Sequence, residues 1–294
     1  MINSVFLIKL RNQKTKNNMP KPKAIGIYRE TKLAGKPGSD QLILDFTAKE
    51  LEKKGFDILT MFPQQFIKEK AGDKDSDLIF TMARSAVIND YLSLIKDNKP
   101  VFMINSPASI RVSFNRFLTY EKISESGVRV PEAKVYDINE LQYADFEGKV
   151  ILKPANRHEF WFVVEKQFHF DAAMDTYKDM KIDEVMVQKY VKGEDLKFYA
   201  IGEKVIIPKS SRAQFPEKTI KEVEKYVLLS GKTSGLKIFG GDLVIDPKDD
   251  YKVYLVDLND WPSFGTIGDL SQEEAATEIA NLIVEEFEKY KKRK

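Results

Sequence analysis

The first hundred residues alternate between short apolar runs and segments with helical periodicity. The apolar runs lie at 24–28, 56–62, 76–82 and 101–106. Between the first two runs, apolar side chains from Leu42 to Leu51 recur at the spacing of one helix face, and a second helical segment covers 86–96. Strands that alternate with helices run parallel, because each helix returns the chain to the same end of the sheet. We therefore expect a parallel α/β unit in this part of the chain.

The pattern changes after Val150, where apolar runs follow one another with only short turns between them. These runs are "VILKP", "FWFVV", "MVQKYV", "LKFYAIG" and "KVIIP". Short turns favour antiparallel pairing, so we expect antiparallel sheets here. Helices are predicted at about 107–126 and 217–230, and a closing helix begins at a capping box formed by Ser271 and Glu274. The predicted fold class is thus α/β followed by α+β.

Composition excludes several classes of protein. The 294 residues suit about two domains, and acidic and basic residues nearly cancel, leaving a net charge of +2. This balance argues against a nucleic-acid or membrane partner, and no apolar run is long enough to span a bilayer. The chain has no cysteine and two histidines, which excludes disulfides, thiolate catalysis and histidine-rich metal sites. We expect a cytoplasmic protein whose oligomeric state the sequence leaves open.

Two polar residues follow directly on an apolar strand in "VYLVDLNDWPSFG", residues 253–265. Asp257 and Asn259 are two positions apart, so in a regular strand their side chains point to the same face. They could simply cap the turn at the end of the strand. Alternatively, they could hold a cation.

The same pattern recurs on other strands of the second half. Lys153 interrupts "VILKP", Asp195 and Lys197 stand in "GEDLKFYAIG", and Asp242 stands in "FGGDLVID". A lone lysine on a strand is often a side chain at a sheet edge that reaches solvent, and Asp195 with Lys197 could be a surface ion pair of little energetic value. These structural interpretations explain each position separately.

One binding site would account for all of these positions. Basic side chains bind polyphosphate, and carboxylate and amide oxygens bind the magnesium that accompanies it. Without a cation, two carboxylates about 4 Å apart would repel each other by roughly 4 kcal/mol at an effective dielectric constant of 20. The residues of this hypothetical site are Lys153, Lys197 and Arg212 for polyphosphate, and Asp242, Asp257 and Asn259 for magnesium.

The order of these motifs resembles the ATP-grasp superfamily over about residues 101–268. "VILKP" is similar to the family's nucleotide-binding strand, and "MVQKYVKGEDLKFYAIGEKV" is similar to the strand and hinge that hold adenine. "IIPKSSRAQF", "GLKIFGGDLVID" and "YLVDLNDWP" follow in the family's order. The resemblance implies an ATP-grasp fold with antiparallel sheets, in which the preceding α/β unit takes the place of the family's N-terminal domain. It also implies ATP and Mg²⁺, or Mn²⁺ instead, as cofactors.

The resemblance assigns a role to each matching position. Arg116 would open the helix before the "GVRVP" turn, and Asp195 would hold the ribose. Lys197, Lys209 and Arg212 would contact phosphate, with Arg212 stabilising the transferred phosphoryl group. Adenine would be held by Gln188 and by the backbone of Tyr190 and Val191, and nucleotide phosphate by Lys153.

Three positions depart from the family's pattern. The loop "ANRHEFW" after Lys153 contains no glycine, whereas the family usually covers phosphate there with a glycine-rich loop. Arg157 or His158 could do so with their side chains instead, although His158 could equally be a turn residue. Lys189 stands at a hinge position where an acid is common. Asp257 stands where most ligases of the family have glutamate, while the inositol-phosphate kinase branch has aspartate.

The leading functional hypothesis is a ligase that joins a small-molecule carboxylate to an amine through an acyl phosphate. The alternatives are a kinase of the same fold that phosphorylates a polyol such as an inositol phosphate, or a nucleotide-binding module without catalysis. If the motif order were coincidental, a two-domain sugar- or peptide-binding protein would remain. We expect three regions, which are an N-terminal extension at 1–22, an α/β domain at 23–106 and the nucleotide-binding and catalytic region at 107–294.

Overall fold

The computed structural model describes residues 20–30, 38–73, 75–158, 160–265 and 270–293. The predicted extension at 1–22 therefore lies almost wholly outside the described residues. The strands are β1 (Lys23–Ile27), β2 (Asp57–Met61), β3 (Leu78–Thr81), β4 (Phe102–Ile104), β5 (Ala133–Asp137), β6 (Val150–Pro154), β7 (Phe162–Val164), β8 (Glu184–Lys189), β9 (Glu194–Ile201), β10 (Lys204–Ile206), β11 (Ile238–Asp246) and β12 (Lys252–Asp260).

The α-helices lie between these strands and at the end of the chain. They are α1 (Ser39–Lys53), α2 (Pro63–Lys68), α3 (Ala86–Asn98), α4 (Pro107–Phe114), α5 (Arg116–Glu125), α6 (Gln167–Asp179), α7 (Lys209–Arg212), α8 (Glu217–Ser234) and α9 (Gln272–Lys292). Within the described ranges, none of these helices has the length and apolar character needed to cross a membrane.

The first half forms the expected parallel sheet. Its strand order is β2-β1-β3-β4, and every neighbouring pair is parallel. Successive residues of a strand enter different cores, because side chains alternate between the two faces. Ala24 and Phe80 pack with α1 and α9, whereas Ile25 and Ile79 pack with α3 on the other face. Burial on both faces explains why these strands are continuously apolar.

The second half forms two antiparallel sheets, as predicted. One has the order β5-β8-β6-β7 and is covered by α6, and the other has the order β10-β9-β11-β12 and is covered by α8. The chain passes from the first sheet to the second in the four residues between β8 and β9. The mixed α/β and α+β fold class predicted from the sequence is confirmed.

The helix predicted at 107–126 is two helices that meet at Asn115. This residue has an extended backbone, and its side-chain oxygen accepts a hydrogen bond from the backbone N–H of Leu118 at 2.8 Å, so it caps α5. The N–H of Arg116 donates to the carbonyl of Ala155 at 2.8 Å instead of continuing α4. The break therefore joins the start of α5 to the end of β6.

The closing helix packs against the N-terminal sheet. Ser271 and Glu274 form the predicted capping box, and Ile279, Ile283 and Phe287 of α9 are buried in the core that contains α1. Both ends of the described chain thus contribute to one core. The boundary at residue 106 remains a prediction.

Candidate active site

A one-residue bulge in β12 decides which way the two polar residues of the last strand point. Asp242 of β11 lies opposite Asp257, but Leu243 lies opposite Leu255, which leaves Val256 as the extra residue. Leu255 is buried in the core under α8, and without the bulge Asp257 would face the same core. The extra residue reverses the alternation, so Asp257 faces a cleft.

Lys153 reaches this bulge from the other antiparallel sheet. It lies on β6, its side chain is 5% exposed, and its ammonium donates to the carbonyl of Val256 at 2.8 Å. Burial lowers the pKa of Lys153 to about 8, although the charges of Asp257 and Asp242 oppose the shift. The structure therefore shows a buried lysine that bridges two sheets, not a lysine at a sheet edge that reaches solvent.

The Asp257 carboxylate is surrounded by donors and cations. Asn259 donates to Asp257 Oδ2 at 2.8 Å, and Arg116 Nε lies 3.8 Å from Oδ1. Burial alone would raise the pKa of Asp257, but the positive charge that His158 takes up at low pH, the charges of Lys153 and Arg116 and the Asn259 hydrogen bond together hold it below its ordinary value. The carboxylate is therefore ionised throughout the neutral pH range.

Asp242 links this carboxylate to the third strand of the same sheet. It lies opposite both Asp257 of β12 and Lys197 of β9, and it accepts a hydrogen bond from Lys197 Nζ at 2.7 Å. Burial alone would lower the pKa of Lys197, but the hydrogen bond and charge of Asp242 raise it above its ordinary value. The lysine therefore stays protonated beside the carboxylates.

The donor set at these strands fits magnesium bound together with phosphate. Asp242 and Asp257 are carboxylates at the same register, and the Asn259 amide adds a neutral oxygen, all of which are hard ligands. Among the described residues, no group of three or more histidine, aspartate and glutamate side chains could hold a metal ion by itself. Water and phosphate oxygens would have to complete the coordination, which is usual for Mg²⁺.

A narrow cavity of about 30 Å³ separates the two antiparallel sheets beside Lys153. Gln188, assigned to adenine, lines it, and its side-chain oxygen is buried without a donor. Tyr190 and Val191 lie in the segment that joins the two sheets, where the Tyr190 N–H donates to the carbonyl of Lys149 at 3.2 Å. Asp195, assigned to ribose, is exposed on β9.

The structure does not bring the two basic residues of α7 into this cluster. Arg212 Nη1 pairs with Glu224 of α8 at 2.9 Å, and its side chain is about half exposed. Neither Arg212 nor Lys209 lines the cavity at Lys153 or the larger cleft beside it. Their roles toward phosphate remain predictions.

His158 is anchored in the protein instead of facing solvent. Its Nε2 donates to the carbonyl of Ser113 at 2.7 Å. Burial lowers the pKa of His158 to about 4, although Asp257 opposes this shift, so the ring is neutral at pH 7. A neutral ring adds no charge to a phosphate cover, which leaves Arg157 as the charged candidate in this loop.

Sequence reasoning missed a large open cleft of about 1250 Å³ next to the cluster. Asp257, Asn259 and Arg116 line one side of it, and Arg29 and Arg84 line another. Arg29 is two residues past the end of β1, and Arg84 is three residues past the end of β3. Their position at the carboxyl ends of neighbouring parallel strands was the available signal, since such ends commonly form ligand sites.

Comparison with known proteins identifies the fold. No family model matches the sequence, and no curated protein is detectably similar to it. The crystal structure of D-alanine–D-alanine ligase from Bacillus anthracis superposes with a TM-score of 0.72 over 93% of this chain and 100% of that one, at 14% identity. A RimK domain ATP-grasp protein from Sphaerobacter thermophilus superposes with a TM-score of 0.69 over 89% and 99%, at 13% identity. The chain has the ATP-grasp fold.

Other solved ATP-grasp structures agree with this assignment. The D-alanine–D-alanine ligase from Bacillus anthracis complexed with ATP has a TM-score of 0.67, 14% identity and coverage of 91% of this chain and 99% of that one. VanG D-Ala:D-Ser ligase from Enterococcus faecalis has a TM-score of 0.64, 12% identity and coverage of 90% and 99%. Similarity at this level of identity concerns the fold alone.

Proposed function

We propose that this ATP-grasp protein is an ATP- and Mg²⁺-dependent ligase that joins a carboxylate to an amine through an acyl phosphate. The observation that carries the proposal is the meeting of Lys153 from one antiparallel sheet with Asp257 and Asp242 from the other. Opposite charges at one point between two sheets suit a nucleotide phosphate and its metal. The ligases among the structural neighbours, one of them complexed with ATP, support the same function.

The residues divide into three groups in this proposal. Lys153, Arg116 and Lys197 bind the phosphates, since each is a cation beside the carboxylates or in contact with their strand. When bound, Mg²⁺ would neutralise charge on the β- and γ-phosphates. It would be held by Asp242, Asp257 and Asn259, the base by Gln188, Tyr190 and Val191, and the ribose by Asp195. Arg212 and Lys209 would act on the γ-phosphate only after α7 moves toward the cleft.

The proposed reaction needs positioning and charge stabilisation more than proton transfer. The attacking carboxylate is already ionised near neutral pH, so no general base is required for the phosphoryl step. The carboxylate oxygen attacks the γ-phosphorus, the bond to the bridging oxygen breaks, and ADP leaves. An amine then attacks the acyl carbon, the bond from this carbon to the phosphate oxygen breaks, and phosphate leaves with the proton that the nitrogen loses. The cations hold the phosphates in line and stabilise the charge that develops.

A polyol kinase is the second candidate, and Asp257 in place of glutamate is the observation in its favour. A hydroxyl acceptor must lose a proton, which requires a carboxylate base. Asp260 is unsuited to this role, because its side chain is 2% exposed and pairs with Arg84 at 3.0 Å. Asp195 is exposed and would be the remaining base.

Nucleotide binding is tested by thermal unfolding with ATP and Mg²⁺. A ligand at 100 times its dissociation constant adds about 2.7 kcal/mol to the free energy of unfolding. Lys153→Ala should lose most of this stabilisation, whereas Lys134→Ala, an exposed lysine of the same sheet, should keep it. Equal stabilisation of both variants would remove Lys153 from the site.

The reaction class is tested with hydroxylamine, which converts acyl phosphates to hydroxamates. Pooled carboxylates, amines and polyols are incubated with the protein, ATP and Mg²⁺. Hydroxamate that accompanies ADP supports the ligase. A phosphorylated polyol without hydroxamate or free phosphate would establish the kinase, and nucleotide binding without ADP would establish a non-catalytic module.

A further inference from the structure

The cleft beside the site concentrates arginine. Five of the nine arginines of the sequence line it, namely Arg29, Arg84, Arg111, Arg116 and Arg157. Lysine is the commoner basic residue of the chain, yet it contributes no lining side chain to this cleft among the described residues. Arginine differs from lysine in its planar fork of donors, which binds carboxylate or phosphate through two parallel hydrogen bonds. The lining therefore suits an organic anion.

Arg29 and Arg84 lie where an α/β sheet usually binds its ligand. The sheet order is β2-β1-β3-β4, so the connection after β1 leads to one side of the sheet and the connection after β3 leads to the other. The crevice between β1 and β3 is therefore the switch point. Arg29 follows β1 and Arg84 follows β3. The proposed nucleotide site uses neither residue.

Acidic and backbone groups hold both guanidinium groups in place. Arg29 Nε pairs with Asp40 of α1, and its Nη2 donates to the carbonyl of Trp261 at 2.7 Å. Arg84 Nη2 pairs with Asp260 Oδ1 at 3.0 Å. The contacts orient the two arginines without using all of their donors. A guanidinium fixed by a carboxylate on one edge is preorganised to bind an anion on another.

Some of the remaining donors have no acceptor among the described residues. Arg29 Nη1 and Arg84 Nε are both buried and unpaired. Burial and the nearby Arg29 guanidinium lower the pKa of Arg84 to about 10, although Asp260 opposes the shift. Glu30, the acid of this wall, already accepts hydrogen bonds from the backbone N–H groups of Arg84 and Ser85. Buried donors are normally paired, so these two point to a missing acceptor.

The lining of the same cleft includes two exposed aromatic rings. Phe160 is 66% exposed and Trp161 is 58% exposed, and both line the cleft. They lie in the loop after β6, where no glycine is present. Adjacent aromatic rings that face a cleft offer an apolar surface for a flat ligand, and arginine stacks well against the same kind of group.

We infer that the acid used by this protein carries a second anionic group, which Arg29 and Arg84 bind, and a flat apolar body that lies against Phe160 and Trp161. The inference rests on the proposed function, since the first carboxylate is the one phosphorylated by ATP. The second group is a carboxylate or a phosphate, and both present the oxygens that arginine binds in pairs.

The test measures binding of matched probes to the full-length protein without ATP. The probes are benzoate, benzene-1,3-dicarboxylate, 3-phosphonobenzoate and glutarate, titrated by calorimetry and by tryptophan fluorescence. Trp161 is exposed and lines the cleft, so a change of emission that is absent from Trp161→Phe reports this ring. We expect at least one aromatic dianion to bind about tenfold or more tightly than benzoate, as one added charged hydrogen-bond pair provides. The tighter of the two dianions identifies the second group. Glutarate should bind more weakly than either.

Variants locate this selectivity. Arg29→Gln should abolish the preference for the dianion and leave the affinity for benzoate unchanged. Arg84→Gln is combined with Asp260→Asn, so that no buried carboxylate is left unpaired, and should act in the same way. Arg129→Gln is the control, because Arg129 pairs with Glu222 outside the cleft. Trp161→Ala should weaken binding of the aromatic dianion but not of glutarate, and Trp161→Phe should restore it.

Two results would overturn the inference. One is equal affinity for benzoate and for both aromatic dianions. Failure of all three probes to saturate the protein counts as the same result. The other is a dianion preference that survives in both the Arg29 and the Arg84 variants. Stabilisation by ATP and Mg²⁺ is measured on the same proteins and should be unchanged in Arg29→Gln. If ATP and Mg²⁺ do not stabilise the unmodified protein, this result contradicts the proposed function. It does not contradict the dianion selectivity, which is measured without nucleotide.

Discussion

At the scale of the residue, the site depends on charges that the fold keeps out of water. Lys153 is buried, but its ammonium bonds to Val256 next to the carboxylates of the site. Asp257 in turn is ionised because cations and a hydrogen bond surround it. Burying a charge is unfavourable unless other charges and hydrogen bonds offset it. The cluster is therefore a set of mutually dependent charges, in which removing one member changes the others.

The lowered pKa of Lys153 predicts how ATP affinity depends on pH. The pKa is about 8 in the folded protein, against an ordinary value of 10.5. Only the protonated lysine attracts phosphate, so affinity should fall by up to about tenfold per pH unit above pH 8. Lys153→Arg keeps its charge and should bind ATP equally well from pH 7 to 9.5. A flat profile for both proteins in a calorimetric titration would contradict the prediction.

The same pKa shift has a consequence for stability. Between about pH 8 and 10.5 the unfolded chain holds a proton on Lys153 that the folded chain has lost. The free energy of unfolding contributed by this group therefore rises with pH across that window, and the penalty for burying the charge is fully present below pH 8. Lys153→Met should remove this rise, as measured by urea unfolding at pH 7.5 and 10.

Asp257→Asn should abolish ADP formation and leave the protein folded. The amide keeps the shape of the side chain but removes the charge that would hold the metal, which matters most in the transition state. Asp246→Asn is the control, because Asp246 caps the turn after β11 by accepting from the Lys248 N–H at 2.9 Å. The amide oxygen still accepts this bond, so Asp246→Asn should change stability by no more than about 0.5 kcal/mol and keep full activity. Full activity in Asp257→Asn would show that the charge of Asp257 is not needed for the reaction.

At the scale of the element, the bulge in β12 and a glycine in β11 bring the two carboxylates together. The bulge turns Asp257 toward the cleft. A Cβ at Gly241 would lie 2.2 Å from the carbonyl of Asp257 and 2.8 Å from the Phe198 ring, so only glycine allows the strands to approach this closely. The register of Asp242 with Asp257 depends on that approach.

Gly241→Ala should therefore damage both stability and activity. The added methyl group must push β12 away, at a cost of about 1–3 kcal/mol. Gly38→Ala is the control, because a Cβ there meets no atom of the described residues within 4 Å. ADP formation and urea unfolding are measured for both variants. Unchanged activity in Gly241→Ala would show that the spacing of the carboxylates is not critical.

At the scale of the whole molecule, one buried asparagine joins the parallel sheet to an antiparallel one. Asn105 follows β4, and its side-chain oxygen accepts from the N–H groups of Lys237 and Ile238 at 2.9 and 3.0 Å. Its amide donates to the Ile238 carbonyl at 2.7 Å. These bonds hold β11, which carries Asp242, beside the cleft arginines of the N-terminal sheet.

Asn105→Ala should destabilise the protein by at least about 2 kcal/mol, because buried backbone groups lose their partners. Asn98→Ala is the matched control, since its amide bonds to the Leu94 carbonyl on an exposed helix end, and it should change stability by no more than about 0.5 kcal/mol. Urea unfolding followed by Trp261 fluorescence measures both. Equal midpoints would mean that the Asn105 hydrogen bonds contribute little to holding the two sheets together.

The gap between the two antiparallel sheets limits the proposed nucleotide site at this scale. The cavity beside Gln188 and Lys153 has a volume of about 30 Å³, room for about two water molecules. A purine base is larger than this cavity, so the proposed adenine site requires a wider gap between the sheets. The four residues between β8 and β9 connect the two sheets.

The sequence by itself determined the type of most of the long elements and the residue types of the cluster. Alternation of apolar residues is a local property, so the parallel sheet, the antiparallel strands and the capped closing helix were all predictable. The unusual polar residues on strands were visible for the same reason, and Lys153, Lys197, Asp242, Asp257 and Asn259 do lie together.

The tertiary structure alone decided how these residues face one another. The bulge at Val256 arises from the pairing of β11 with β12, and strand pairing is not encoded in the alternation of one strand. Arg212 was expected at the phosphate, but its pair with Glu224 depends on how α7 packs beside α8. Arg29 and Arg84 were missed, because they meet Trp261 and Asp260 across more than 170 residues of chain. Contacts between distant segments follow from packing, and packing places these arginines beside the carboxylates.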